Sequence, residues 1–119
     1  MAATAILKTL DMDATIEWYT RVGFELRARF PATGDTTWCE VARDGVTLQF
    51  LAGDTPWPEA PIFTGTLYVY PRSVSEVHES IRYNTEVAWG PEVREWGMRE
   101  LGLQDPNGYF ITFAEPINR

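Results

Sequence analysis

Trp96-Gly97-Met98-Arg99-Glu100-Leu101-Gly102-Leu103 runs into Gln104-Asp105-Pro106-Asn107-Gly108 and then into Tyr109-Phe110-Ile111-Thr112-Phe113. Two β-prone runs flank an Asp-Pro-x-Gly turn, and Asn-Gly is a strong short-range hairpin signal because both residues tolerate positive φ. The second run alternates only in part, which suits a strand covered on both faces. A Trp at the mouth of this hairpin and a Glu in its first strand can serve a fold or a site, and the rest of the chain decides between them.

The composition is that of a packed globule. At 119 residues the chain has room for one domain and a real core. Its 45% hydrophobic and 13% aromatic content argues against disorder. No apolar run reaches bilayer-spanning length, and residues 1–10 carry no block that reads as a signal peptide. The single cysteine, Cys39, excludes an internal disulfide and fits a reducing cytoplasm. Seventeen acids against ten bases give a net charge of −7, which disfavours nucleic acid and anionic membranes and favours cationic ligands. On charge alone, plain solubility is the simpler account.

Outward from the hairpin, the elements repeat. Thr4–Leu10 reads as a strand, and Asp11 and Asp13 offer caps for a helix over Met12–Val22, with Ile16, Tyr19 and Val22 as its apolar stripe and Gly23 closing it. Phe24–Phe30, Thr36–Ala42 and Val46–Leu51 read as strands, the last two joined at Asp44-Gly45. Residues 53–63, with three prolines, form a linker. Thr66–Tyr70 then reads as a strand, and Ser73-Val74-Ser75-Glu76 has capping-box spacing before a helix with Val74, Val77 and Ile81 on one face. Glu86–Arg94, broken by Gly90 and Pro91, reads as a short strand plus loop. Asp11 and Ser73 start helices 62 positions apart, and Gly45 and Gly108 sit in turns at almost the same offset. Such an offset across matching elements is an internal duplication. The expected architecture is α+β: one domain of two βαβββ repeats, about 1–52 and 64–119.

That duplicated order, with Trp18-Tyr19 late in the first helix and Val22-Gly23-Phe24 after it, resembles the vicinal-oxygen-chelate superfamily of glyoxalases, bleomycin-resistance proteins and dioxygenases. The resemblance spans essentially the whole chain. Arg43-Asp44-Gly45-Val46-Thr47-Leu48, Trp96-Gly97-Met98-Arg99-Glu100 and Asp105-Pro106-Asn107-Gly108 make it most similar to the bleomycin-binding proteins. It implies two modules whose mixed sheet curls into a concave groove, with a helix of each module outside. It also implies a homodimer with ligand grooves at the subunit interface. The family commonly has a proline in the first strand where this chain has Ala5, and the segment Tyr83–Glu95 is shorter than in well-known relatives.

Enzymes of that superfamily hold a divalent ion with His, Glu or Gln. The matching positions here are Thr4 or Ala5, Thr66, Gln49 and Thr112, of which only Gln49 is a plausible donor. Hydroxyls and amides are weak ligands beside imidazole or carboxylate, and metal sites ordinarily take three or more good ones. The expectation is therefore no metal, no cofactor and no catalytic residue. His78 falls on a half-buried helix position and Cys39 on the core side of its strand, both structural readings.

Strand alternation gives an independent route to the groove. With Val41, Leu48, Phe50, Leu101, Leu103, Tyr109, Ile111 and Phe113 in the core, the opposite face carries Trp38, Glu40, Gln49, Tyr68, Trp96, Met98, Glu100 and Phe110. These eight are the candidate ligand-binding residues. Thr112, Tyr70, Ile6 and Lys8 share the face. Flat rings beside carboxylates suit a ligand that is planar in one part and cationic in another. In the bleomycin-binding proteins the positions matching Trp38 and Trp96 look like the pair that stacks the drug's bithiazole rings. The competing reading is that these indoles fill a dimer interface or a core. A superfamily enzyme with an unusual site around Gln49, Glu40 and Glu100, or with Glu100 as general base, is the alternative function.

Overall fold

The computed structural model describes residues 4–57 and 60–117; residues 1–3, 58–59 and 118–119, which fall in the expected module ends and linker, lie outside the described residues. The first half contains β1 (Ala5–Lys8), α1 (Met12–Arg21), β2 (Glu25–Phe30), β3 (Trp38–Arg43) and β4 (Val46–Leu51). The second contains β5 (Thr66–Val69), α2 (Val74–Ile81), β6 (Trp89–Val93), β7 (Met98–Gln104) and β8 (Phe110–Pro116). Each half builds its own four-stranded mixed sheet, ordered β1-β4-β3-β2 and β5-β8-β7-β6, with only the first neighbours parallel. Ile6 lies opposite Gln49 in one sheet as Tyr68 lies opposite Thr112 in the other, so the duplication holds down to the register.

The helices form where their caps and stripes dictate. The Asp11 carboxylate accepts from the amide of Ala14, and Met12, Thr15, Trp18 and Tyr19 at three- and four-residue spacing are buried. Ser73 accepts from the amide of Glu76, and Val74, Val77 and Ile81 form the buried face of α2. Alternation in the strands sends Cys39, Val41, Leu48, Phe50, Leu101, Leu103, Ile111 and Phe113 to one continuous core shared by both halves.

The two glycine turns differ from one another. Asp44 and Gly45 both have positive φ (50° and 78°) and join directly paired strands, the geometry of a two-residue hairpin. In the 105–108 turn only Gly108 is left-handed, at 88°, and the expected positive φ does not extend to Asn107. The loop is longer because its side chains are used elsewhere. Asp105, buried, accepts from the amides of Asn107 and Tyr109 at 2.8 Å and from the Tyr19 hydroxyl at 2.7 Å. Asn107 bonds to Thr9 and Thr15, and the Tyr109 hydroxyl donates to the carbonyl of Lys8. The Asp-Pro-Asn-Gly turn is thus the clasp between modules, which repetition alone does not announce. Burial pushes the Asp105 carboxyl and the Tyr19 hydroxyl above their ordinary values.

Candidate functional site

Opposite the shared core, each sheet keeps a second face. On the first sheet, β3 and β4 bring three of the candidate residues together. The Trp38 indole N–H donates to Gln49 Oε1 at 3.2 Å, and Gln49 Nε2 donates to Glu40 Oε1 at 3.0 Å. The antiparallel register explains the chain of contacts: Glu40 is paired directly with Gln49, and Trp38 lies two residues along β3 on the same face. All three are half-buried, so the indole is not sealed in the core.

The second sheet carries the other cluster. Tyr68 on β5 and Glu100 on β7 share a hydrogen bond, and Trp96 donates its indole N–H to Glu100 Oε2 at 3.2 Å and to the Tyr68 hydroxyl at 3.3 Å. Trp96 lies in the turn between β6 and β7 rather than at the start of β7, where the sequence places it, and is 60% exposed. The Glu100 side chain is only 4% exposed. Burial pushes its carboxyl above the ordinary glutamate value. Arg94 reaches the same carboxylate with Nε at 3.3 Å from Oε1. Met98 is half-buried near the start of β7, and Tyr70 stands edge-on to Tyr68 at 5.8 Å.

Phe110, the first residue of β8, has an unforeseen partner. Trp89 on β6 sits across from Gly102, and its ring lies 5.7 Å from that of Phe110. A Cβ on Gly102 would fall 2.1 Å from the Trp89 ring, so the missing side chain makes the indole's seat. Gly102 in a row of groove-facing residues was the available signal for Trp89. The buried Trp89 Nε1 has no acceptor among the described residues. Phe30, paired with Trp38 on the edge strand β2 and exposed, is a further aromatic that alternation on β3 and β4 alone does not reveal.

The eight candidates therefore form a three-residue cluster on one sheet and a larger group on the other, and no described hydrogen bond or ring contact joins the two. The contacts that join the halves lie at the clasp and in the core. Lys8 is buried and tied to the segment after β4: its Nζ donates to Gly53 O at 2.8 Å and Thr55 Oγ1 at 3.2 Å.

The positions matching metal ligands in the superfamily do not fit a metal. Thr66 and Thr112 bond to each other through their hydroxyls at 2.7 Å, and Gln49 is engaged at both ends of its amide. Among the described residues no three His, Cys, Asp or Glu side chains converge. Cys39 is fully buried, its thiol pushed up to about 11 by desolvation, and His78 is half-buried on α2. A cleft of about 460 Å³ lies away from both clusters, between Arg43 and the N-terminus of α2. Its arginines are already paired, Arg43 with Asp44 and Arg72 with Glu76.

A family model described as the Glyoxalase/Bleomycin resistance protein/Dioxygenase superfamily matches residues 4–113. Among solved structures, TioX from Micromonospora sp. ML1 superposes with a TM-score of 0.78 at 22% identity, covering 98% of this chain and 99% of its own. A bleomycin-binding protein complexed with bleomycin gives 0.67 at 24%, covering 100% and 99%. TnmS3, an antibiotic binding protein from Streptomyces sp. CB03234, gives 0.70 at 23%, covering 98% and 97%. No curated protein sequence matches the chain. Identities this low speak for the shared fold.

Proposed function

The chain belongs to the glyoxalase/bleomycin resistance protein/dioxygenase superfamily, and from that premise we propose that it is a binding protein that sequesters a flat, cationic small molecule of the bleomycin type. The observation that carries this reading is the pairing, on each sheet, of an indole with a carboxylate: Trp38 with Glu40 through Gln49, and Trp96 with Glu100. A ring face attracts a planar group, and a carboxylate beside it attracts the cation attached to that group. Sequestration needs affinity alone, so the hydroxyl and amide donors at the positions matching metal ligands are no obstacle to it. Two relatives of the same fold are described as binding bleomycin or an antibiotic, which fits.

The two clusters sit on separate sheets and leave a one-sided platform each. A homodimer that sets the first sheet of one copy against the second sheet of another makes two complete grooves, and we read the site in that form. The net charge of −7 adds attraction for a cationic ligand, and a single buried thiol suits a cytoplasmic protein.

Titration with bleomycin, followed by tryptophan emission and by thermal unfolding, tests this. Quenching together with a rise in Tm at micromolar drug is expected; neither response would remove bleomycin as the ligand class. One observation favours an enzyme instead: burial raises the Glu100 carboxyl and the Tyr68 hydroxyl touches it, as in a general-base pair. Mass analysis of the bound compound separates the readings, because a binder returns it unchanged.

A further inference from the structure

The turn that carries Trp96 also carries a cation of its own. The backbone from Arg94 to Gly97 is locked: the Arg94 amide donates to Met98 O at 2.7 Å and the Gly97 amide to Arg94 O at 3.0 Å, with Gly97 left-handed at φ 85°. From that turn the Arg94 guanidinium lies 5.5 Å from the centre of the Trp96 ring. The same side chain places Nε at 3.3 Å from the buried Glu100 carboxylate. A carboxylate and an indole face engaged by one cation is the arrangement through which a flat cationic ligand would be recognised.

Resting on the binding reading above, we propose that Arg94 is an internal stand-in for the ligand's cation: it occupies the Glu100–Trp96 seat in the free protein, and a cationic ligand binds there by displacing it. Three features make the exchange workable. The indole does not depend on Arg94 for its position, since Glu100 and Tyr68 hold its N–H. The departing guanidinium has somewhere to go, because its Nη2 is already 3.4 Å from Glu92, a more exposed carboxylate. Moving the half-exposed arginine onto Glu92 costs little once another cation takes its place at Glu100. Leaving Glu100 buried without any cation is expensive by comparison. A neutral planar molecule that pushed Arg94 aside would strand that carboxylate, whereas a cation replaces the lost charge. Arg94 is therefore a specificity device that admits flat cations and turns away flat neutral compounds. The first-sheet cluster has no counterpart: among the described residues no guanidinium lies over Trp38, so the two halves of a groove are unequal.

The test uses the full chain and a matched pair of probes at pH 8, 10-methylacridinium and neutral acridine, titrated calorimetrically into the wild type and into R94Q, R94K and E100Q. Methylacridinium is expected to bind the wild type in preference to acridine. R94Q should bind it on the order of fivefold more tightly, R94K less so, and the gain should vanish in R94Q combined with E100Q. If R94Q binds the cation no more tightly than the wild type, the stand-in is wrong while the binding reading survives. If no variant binds methylacridinium and the wild type also ignores bleomycin, both fail. A ligand-free readout separates these cases further. The indole N–H resonance that disappears in W96F should move in R94Q, and a resonance unmoved by R94Q would overturn the proposed seat on its own.

Discussion

At Glu100 a carboxylate is held almost out of water with Tyr68, Trp96 and Arg94 around it. Its value is raised by desolvation, which means the folded chain holds this proton more tightly than the unfolded chain does. The resulting contribution to stability is complete below the ordinary value of 4.5 and is lost as pH rises through the folded value. Asp105, raised from 3.8 by its own burial, acts in the same direction. The wild type should therefore lose stability more steeply than E100Q as pH rises from 4.5, since E100Q keeps the Asp105 contribution alone of the two. Urea midpoints across that range measure it; parallel curves would show that the Arg94 cation already offsets the burial of Glu100. The same residue illustrates what a sequence conveys. Alternation places Glu100 opposite Leu101 and Leu103, but nothing in a one-dimensional pattern says that Arg94 and Trp96 will fold back over it from a turn.

Among the elements, β6 is the one that the sequence least foretold. Gly90 and Pro91 read as breakers, yet the strand forms across them with an irregular register between Trp89 and Glu92. The reason is steric: Gly90 has φ 82°, and a Cβ there would fall 2.2 Å from the backbone oxygen of Glu100. The chain passes so close to β7 that only glycine fits, and the breaker is what allows the pairing. The helices and β4 were legible because caps and periodicity are local signals. The clasp at Asp105 was not, because its partner Tyr19 is remote in sequence. Two substitutions separate backbone from side-chain crowding on β6 and β7. G102A presses a methyl into the Trp89 ring, which can tilt, and should cost about 1–3 kcal/mol with a change in Trp89 emission. G90A meets a carbonyl that cannot yield and also needs a disfavoured φ, so its loss should be larger. Denaturant unfolding of both variants gives the order, and G90A as stable as G102A would contradict the close approach.

Across the whole molecule, the two modules share one core on one side and present two separate aromatic–acidic faces on the other. Ile6, Phe30, Tyr70, Val93 and Trp96 remain exposed. In the homodimer proposed above, Trp38 of one copy would lie across the groove from Trp96 of its partner, and that arrangement makes a prediction that no single-chain site can imitate. W38A alone leaves both grooves of its dimer without the first-sheet indole, and W96A alone leaves both without the second. Each should lose about tenfold or more in affinity for a flat cationic probe. When the two variants are unfolded together and refolded as a mixture, half of the dimers are mixed. Every mixed dimer then has one groove lacking both indoles and one groove with both intact. High-affinity binding should return to about a quarter of the wild-type site number, since a twofold axis pairs each face with the opposite face of the other copy. Calorimetric stoichiometry on the mixture reads this number directly. A mixture that binds no better than its components would mean that each site is completed within one chain, and that the exposed faces are covered in some other way.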